Sequence, residues 1–252
     1  MNLQRWKSRI ALVTGASSGI GAAVATALAT QVGMRVALMA RREDRLTKLA
    51  SELTQANAEV LICVGDVSNA DDVERCFARV REHWGGLDVL VNNAGVAKMK
   101  ALRDGNRQDW EHALSVNVAA PAHCMREALS AMVTREEGQI INISSVYAHR
   151  DQVPNFALYQ ASKAALKSLT NTLRAELAES GDAIRIGMIS PGMVATEFRE
   201  QATDGAFAYA SYFENYAPLL PVDIAEAALY MLSTRPHVQV QDILLSPIGQ
   251  GL

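Results

Sequence analysis

The sequence predicts an α/β fold, a doubly wound sheet of seven parallel strands with helices on both faces. Three observations carry this. Short apolar runs alternate with longer amphipathic stretches along nearly the whole chain. The short runs are apolar at successive positions rather than alternate ones, the pattern of strands buried on both sides. A glycine-rich turn joins the first run to the first helix. No linker or repeat divides the rhythm, so one domain spanning 1–252 is expected.

The first strand is Ile10-Ala11-Leu12-Val13, and the helix after the turn runs from Gly19 to about residue 31. A second strand spans 35–39. The helix at 43–55 carries Leu46, Leu49, Ala50 and Leu53 at three- and four-residue spacing, a single apolar stripe. Strand 60–64, helix 71–84 and strand 88–91 follow. A long helix fills 106–134, with a bend expected at Pro121, which lacks the N–H of the helical ladder. Strand 140–143, helix 157–179 and strand 184–189 continue the alternation, and helix 223–232 leads to a last strand at 242–245.

Segment 195–221 breaks this rhythm as an insertion beside the expected substrate site. It holds Phe198, Phe207, Tyr209, Tyr212, Phe213 and Tyr216, six of the fourteen aromatic residues. A lid over an apolar ligand is one reading. Surface helices packing their rings on the sheet are the other.

Composition excludes several functions. A net charge of −3 and the lack of a basic block give no field for nucleic acid or an anionic membrane. No apolar run approaches the ~18 residues of a membrane span, and the polar N-terminus has no signal-peptide pattern. The three cysteines are scattered without metal-ligand spacing, so no metal and a reducing, cytoplasmic setting are expected.

The turn reads Thr14-Gly15-Ala16-Ser17-Ser18-Gly19-Ile20-Gly21. Its glycines allow a tight turn and close approach to a ligand. The helix that follows offers free N–H groups and a positive dipole end to a pyrophosphate. A dinucleotide is therefore expected against Gly15, Ser17, Ser18, Gly19, Ile20 and Gly21, in a Rossmann-type arrangement. The second strand ends at Arg41-Arg42, where an acidic residue would hold a ribose hydroxyl and arginine would hold a 2′-phosphate. NADP(H) is the expected cofactor, with Arg41 leading. The alternative is that both arginines open a solvated helix facing Glu43 and Asp44. Asp66, before Val67, could meet an adenine amino group or cap its own turn. Asn92-Asn93-Ala94-Gly95 ends the fourth strand, where its amides could brace neighbouring backbone.

Tyr159 and Lys163 lie one helical turn apart on one face. An ammonium beside a phenol favours phenolate, so the Tyr159 pKa is expected to fall from about 10 toward working pH. Such a phenol exchanges a proton with a carbonyl or alcohol oxygen.

Together these residues resemble the short-chain dehydrogenase/reductase family over nearly the whole chain. The motifs are Thr14-x-x-x-Gly19-x-Gly21, Asn92-Asn93-Ala94-Gly95, Asn117, Ser145, Tyr159-x-x-x-Lys163 and Pro191-Gly192. A narrower likeness, carried by the start at Arg5-Trp6, the pair His149-Arg150 and Asp242-Ile243, is to a subgroup with insect farnesol dehydrogenases and dehydrogenase/reductase member 11. The resemblance implies reversible hydride transfer at a site of Asn117, Ser145, Tyr159 and Lys163. It selects Ser145 over Ser144, gives Asn117 a water relay with Lys163, and sets Lys163 on the nicotinamide ribose. It places Pro191, Gly192, Val194 and Thr196 against the nicotinamide, alongside Asp66, Val67, Asn93, Ala94 and Gly95 around the rest of the cofactor. It also implies a homo-oligomer through the helices at 106–134 and 157–179. The expected substrate is a medium-sized apolar alcohol or carbonyl. Alternatives are a 3-hydroxy acid clamped by Arg150 or Arg199, and a dinucleotide sensor with vestigial activity.

Overall fold

A computed structural model describes residues 2–132, 135, 137–150, 154–203 and 217–250. Strands β1 (Ile10–Thr14), β2 (Arg35–Ala40), β3 (Val60–Val64), β4 (Val89–Asn92), β5 (Gly138–Ile143), β6 (Ile184–Pro191) and β7 (Asp242–Leu245) form one sheet in the order β3-β2-β1-β4-β5-β6-β7. All neighbours pair in parallel. Helices α1 (Gly19–Ala27), α2 (Glu43–Gln55) and α8 (Pro221–Ser233) cover one face. Helices α3 (Ala70–Trp84), α5 (Ala120–Met132) and α6 (Ala157–Ser180) cover the other. Strand β1 shows why its residues are apolar throughout: Ala11 and Val13 enter the first layer, Ile10 and Leu12 the second.

The Arg5-Trp6 start has a structural role. Trp6 Nε1 donates to Leu232 O at 2.8 Å, and the Arg5 guanidinium donates to the carbonyls of Leu232 and Thr234. The N-terminus thereby satisfies the open carbonyls at the end of α8.

The predicted long helix at 106–134 is divided. Helix α4 (Arg107–Leu114) passes into a π-helical turn, Ser115–Ala119, before α5 begins. The irregularity precedes Pro121 rather than centring on it. Proline has no N–H for the carbonyl four residues back, which is that of Asn117. The widened turn centres on Asn117, the residue the motif singles out. Strand β6 is longer than expected and takes in Pro191. Of the aromatic segment, Phe198 opens a short helix α7 (Phe198–Ala202). Phe207, Tyr209, Tyr212, Phe213 and Tyr216, which the lid reading needs, lie outside the described residues. Among the described residues no helix is long and apolar enough to cross a membrane.

Candidate active site

The chain winds outward from β1 to β3, then returns to place β4 beside β1. At this reversal the carboxyl ends of the strands border a cavity of about 420 Å³. Every catalytic and cofactor residue expected from the sequence lines it except Gly21 and Asn117, each of which backs a lining residue; of the two arginines offered as carboxylate clamps, Arg199 lines it and Arg150 does not.

At one end stands the turn between β1 and α1. Gly15 and Gly19 adopt φ of +65° and +56°, the left-handed region that a side chain would strain. A Cβ on Gly21 would lie 2.4 Å from both Asn93 Nδ2 and Gly15 O. Asn93 is the brace anticipated from its position. Its Nδ2 donates to Thr14 O at 2.9 Å and Gly15 O at 3.2 Å, while Thr14 Oγ1 accepts from Asn93 N and Ala94 N at 3.0 and 3.1 Å. Ser18 begins α1 without using its side chain as a cap. Its hydroxyl accepts from Arg42 Nη2 at 2.7 Å, leaving the first N–H groups of α1 without a side-chain acceptor.

Arg42, rather than Arg41, faces the turn. Its Nε and Nη2 reach Ser17 Oγ at 3.1 and 2.9 Å, and its Nη1 reaches Glu197 at 3.2 Å. Arg45 joins the same carboxylate at 2.7 Å. The guanidinium bonds of Arg45 and Arg42 hold Glu197 below the usual carboxylate range. Arg41 extends outward, 64% exposed, with Asp66 Oδ2 at 3.5 Å. Asp66 caps its own turn, accepting from Ser68 N at 2.9 Å and Ser68 Oγ at 2.7 Å. Burial pushes its carboxyl up, but the Ser68 bonds and the Arg41 charge outweigh that and hold it low. Free helix N–H groups, a close-approach backbone and two guanidinium groups fit a phosphorylated dinucleotide.

At the other end, Ser145 caps a 3₁₀ turn, Val146–His149, its Oγ accepting from Tyr147 N at 3.2 Å. The Ser145 hydroxyl lies near enough to Tyr159 to favour its phenolate, and both residues line the cavity. Tyr159 and Lys163 come from α6 and are both buried. Lys163 Nζ donates to Ile143 O at 2.9 Å and stands 5.7 Å from the centre of the Tyr159 ring. The expected acidification by Lys163 is overturned. Burial pushes the Tyr159 phenol up to about 12, opposed by the Ser145 hydroxyl and the Arg199 charge. Burial also brings the Lys163 ammonium down to about 8. Desolvation disfavours the charged form of each.

Asn117 does not touch Lys163 through its side chain. Its Oδ1 accepts from Val96 N at 2.9 Å, and its Nδ2 donates to Val96 O at 2.8 Å and Ser162 Oγ at 3.0 Å. The two groups flank Gly95 instead: a Cβ there would lie 3.4 Å from Asn117 Oδ1 and 3.6 Å from Lys163 Nζ. Asn117 therefore fixes the strand β4 exit against α6.

Aromatic rings wall the Tyr159 end. Phe198, Tyr147 and Phe156 centre 5.6, 6.1 and 6.2 Å from the Tyr159 ring, and Ala97, Met99 and Ala202 complete the cluster. Arg199 lies over Phe156 at 5.4 Å and donates to Tyr147 OH at 3.3 Å. The loop after β6 spans both ends. Gly192 N donates to Leu245 O at 2.6 Å, Val194 bridges to Leu219, and the Thr196 methyl would stand 3.1 Å from a Cβ on Gly19.

Several residues here escape sequence reasoning. Gln250 Oε1 accepts from Met193 N at 2.9 Å, and nothing in the C-terminal tail signals it. Ser162, fully buried, joins Asn117 to Tyr159 O at 2.7 Å. Its place three residues after Tyr159, on the same helix face, is a usable signal. Tyr147 and Phe156 flank known motif residues without a pattern of their own.

A family model described as short chain dehydrogenase matches residues 9–206. Dehydrogenase/reductase SDR family member 11 of Bos taurus is 41% identical over 254 residues, covering 98% of this chain and 99% of that protein. Farnesol dehydrogenase of Aedes aegypti is 39% identical over 253 residues, with 98% and 99% covered. The closed form of a serine dehydrogenase complexed with NADP+ has a TM-score of 0.88 at 32% identity, covering 96% of each chain. With the matching sheet order and the Ser145, Tyr159 and Lys163 arrangement, these place the chain in the short-chain dehydrogenase/reductase family of oxidoreductases.

Proposed function

We propose that the protein is an NADP(H)-dependent oxidoreductase that interconverts an alcohol and a carbonyl on a medium-sized, largely apolar substrate. The observation that carries this is the placement of Ser145, Tyr159 and Lys163 beside an aromatic wall, in the same cavity as the arginine-topped turn. NADP(H) is supported by Arg42 and Arg41 at the end of β2, and by the NADP+ bound in the serine dehydrogenase.

Bound, the reduced nicotinamide supplies hydride to the carbonyl carbon. The chain's residues handle the oxygen. Ser145 Oγ donates to it and stabilises its developing charge. Tyr159, raised to about 12, is a neutral acid at working pH and delivers its phenolic proton, which completes the alcohol. Lys163, at about 8, holds a positive charge near pH 7 in the same buried pocket and stabilises the phenolate left behind. Asn117 and Ser162 hold α6 against the β4 exit, which keeps these groups in register.

A panel of apolar aldehydes and ketones, followed by loss of NADPH absorbance, tests the reading. Turnover is expected for several, and Tyr159→Phe should lower kcat by about 10²–10⁴-fold with NADPH binding intact. No turnover of any member would sink it and leave a dinucleotide sensor, whereas unchanged turnover in Tyr159→Phe would sink the role given to Tyr159. A 3-hydroxy acid is the second reading, favoured by the Arg199 cation on the cavity wall; 3-keto acids in the panel separate the two.

A further inference from the structure

His149 and Asp242 belong to sequence pieces that the chemistry above does not use, and the fold brings them together. His149 Nε2 lies 2.8 Å from Asp242 Oδ2, at the start of β7. The approach is short but oblique, an electrostatic contact rather than an aligned hydrogen bond. Ser190, fully buried in β6, donates to Asp242 Oδ1 at 2.8 Å and stands 3.3 Å from His149 Nε2. On the other side of the ring, Lys167 Nζ is 3.0 Å from Nδ1. An ammonium only donates, so Nδ1 accepts and the ring proton sits on Nε2, toward Asp242.

His149 is the last residue of the 3₁₀ turn that Ser145 caps. That turn is short and closed by Ala148 N donating to Ser145 O at 2.9 Å, so its two ends move together. Helix α6 grips both of them. Tyr159 stands beside Ser145 on the cavity wall at one end, and Lys167, two helical turns further on the same face, meets His149 at the other. Among the described residues, His149 makes the turn's polar side-chain link to the sheet. Tyr147, the turn's other polar side chain, points to Arg199 of α7 instead.

We infer that His149 is a positioning residue: through Asp242, Ser190 and Lys167 it ties the Ser145 turn to β6, β7 and α6, and so sets the Ser145 hydroxyl beside Tyr159. The inference rests on the role proposed above for Ser145. Displacement of a hydroxyl by about 1 Å lowers turnover by up to ~10²-fold without touching distant binding groups.

The test compares His149→Ala, His149→Gln, Asp242→Asn and the double His149→Ala/Asp242→Asn with the full-length parent, using NADPH and the best carbonyl from the panel. His149→Ala should lose about tenfold or more in kcat, with the NADPH dissociation constant, read by nucleotide fluorescence, within twofold of parent. The double variant should be no slower than the slower single, since both break one network. His149→Gln, whose amide supplies a donor and an acceptor, should recover at least half of the lost turnover. If His149→Ala does not fold, the same comparison between His149→Gln and Asp242→Asn carries the test, both being near-isosteric. Parent-like kcat in His149→Ala, additive losses in the double, or a matching loss of NADPH affinity would overturn the inference. Ser145→Ala is the control: should it retain full turnover, the proposed chemistry itself is wrong, whereas an inactive Ser145→Ala beside a parent-like His149→Ala removes the tether alone.

Discussion

Arg42 stands over the N-terminus of α1, its Nη2 donating to Ser18 Oγ at 2.7 Å and to Ser17 Oγ at 2.9 Å. The neighbouring Arg41 faces Asp66 and is mostly exposed. Both guanidinium groups line the cavity, and Arg42 is the one already ordered by the turn. A 2′-phosphate arriving between them would gain a charge-assisted, fork-shaped donor. Arg42→Ala should lower kcat/KM with NADPH by about 10–100-fold, the worth of one or two such bonds, and leave NADH within about threefold. Arg41→Ala should have the smaller effect, because its side chain is solvated. A parent enzyme that prefers NADH would refute the arginine argument.

Gly21 is required for space rather than for φ. A methyl group there would lie 2.4 Å from Asn93 Nδ2 and also from the Gly15 carbonyl oxygen. The first contact involves a side chain, but the second is backbone in a turn that cannot yield without moving Gly15. Gly21→Ala should therefore destabilise by about 1–3 kcal/mol and abolish NADPH binding in a fluorescence titration. Asn93→Ala added to it should fail to restore binding, since the Gly15 oxygen is still in the way. Restored binding would mean that the amide alone made the glycine necessary.

The sheet and the cofactor turn were legible because both are written in local patterns: continuous apolar runs, and glycines between a strand and a helix. The order of the strands was not, since continuous two-sided burial marks a strand as interior without naming its neighbours. The choice between Arg41 and Arg42 was not legible, since it depends on Ser17 and Ser18 of the β1–α1 turn meeting Glu197 from the distant loop before α7. Nor was the acidity of Tyr159. Helical spacing places Lys163 beside it, yet spacing says nothing of how much water reaches either group, and here burial decides. The π-helical turn at Asn117 escaped for a related reason: Pro121 announces a disturbance, but tertiary bonds to Val96 and Ser162 determine where it falls.

Phe198 tests whether burial is what raises the Tyr159 phenol. Its ring centre is 5.6 Å from that of Tyr159, and it packs on the apolar cluster that holds the phenol. Phe198→Ala admits water, which stabilises phenolate and removes part of the desolvation that lifts the group to about 12. The phenolate absorbance step, taken as the difference from Phe198→Ala/Tyr159→Phe, should move below about 12 toward the ordinary value near 10. KM for apolar substrates should rise severalfold with the lost wall. A step that stays where it was would show that Phe198 does not control access to the phenol.

Lys163 carries the opposite side of the same effect, and it makes a prediction about stability. Its ammonium is brought from 10.5 to about 8 by burial. Below pH 8 the lysine is charged in both the folded and the unfolded chain, so the whole cost of burying that charge is present. Between about pH 8 and 10.5 the unfolded chain binds more protons than the folded one, so this cost falls as pH rises, and stability climbs. At 1.36 kcal/mol per pH unit the full effect is on the order of 3 kcal/mol, less about 1 kcal/mol for the bond to Ile143 O that any replacement loses. Lys163→Met should therefore be more stable than the parent by about 2 kcal/mol at pH 7, with the advantage shrinking steadily toward pH 10. The same variant should be nearly inactive, because the buried positive charge that the proposed chemistry sets beside the Tyr159 phenolate is then gone. Urea unfolding midpoints at pH 7, 8.5 and 10 would settle the matter. A less stable Lys163→Met at pH 7, or a difference that does not change with pH, would mean that the buried ammonium is compensated in the fold. In that case Lys163 would be held in place by stability as well as by its chemistry.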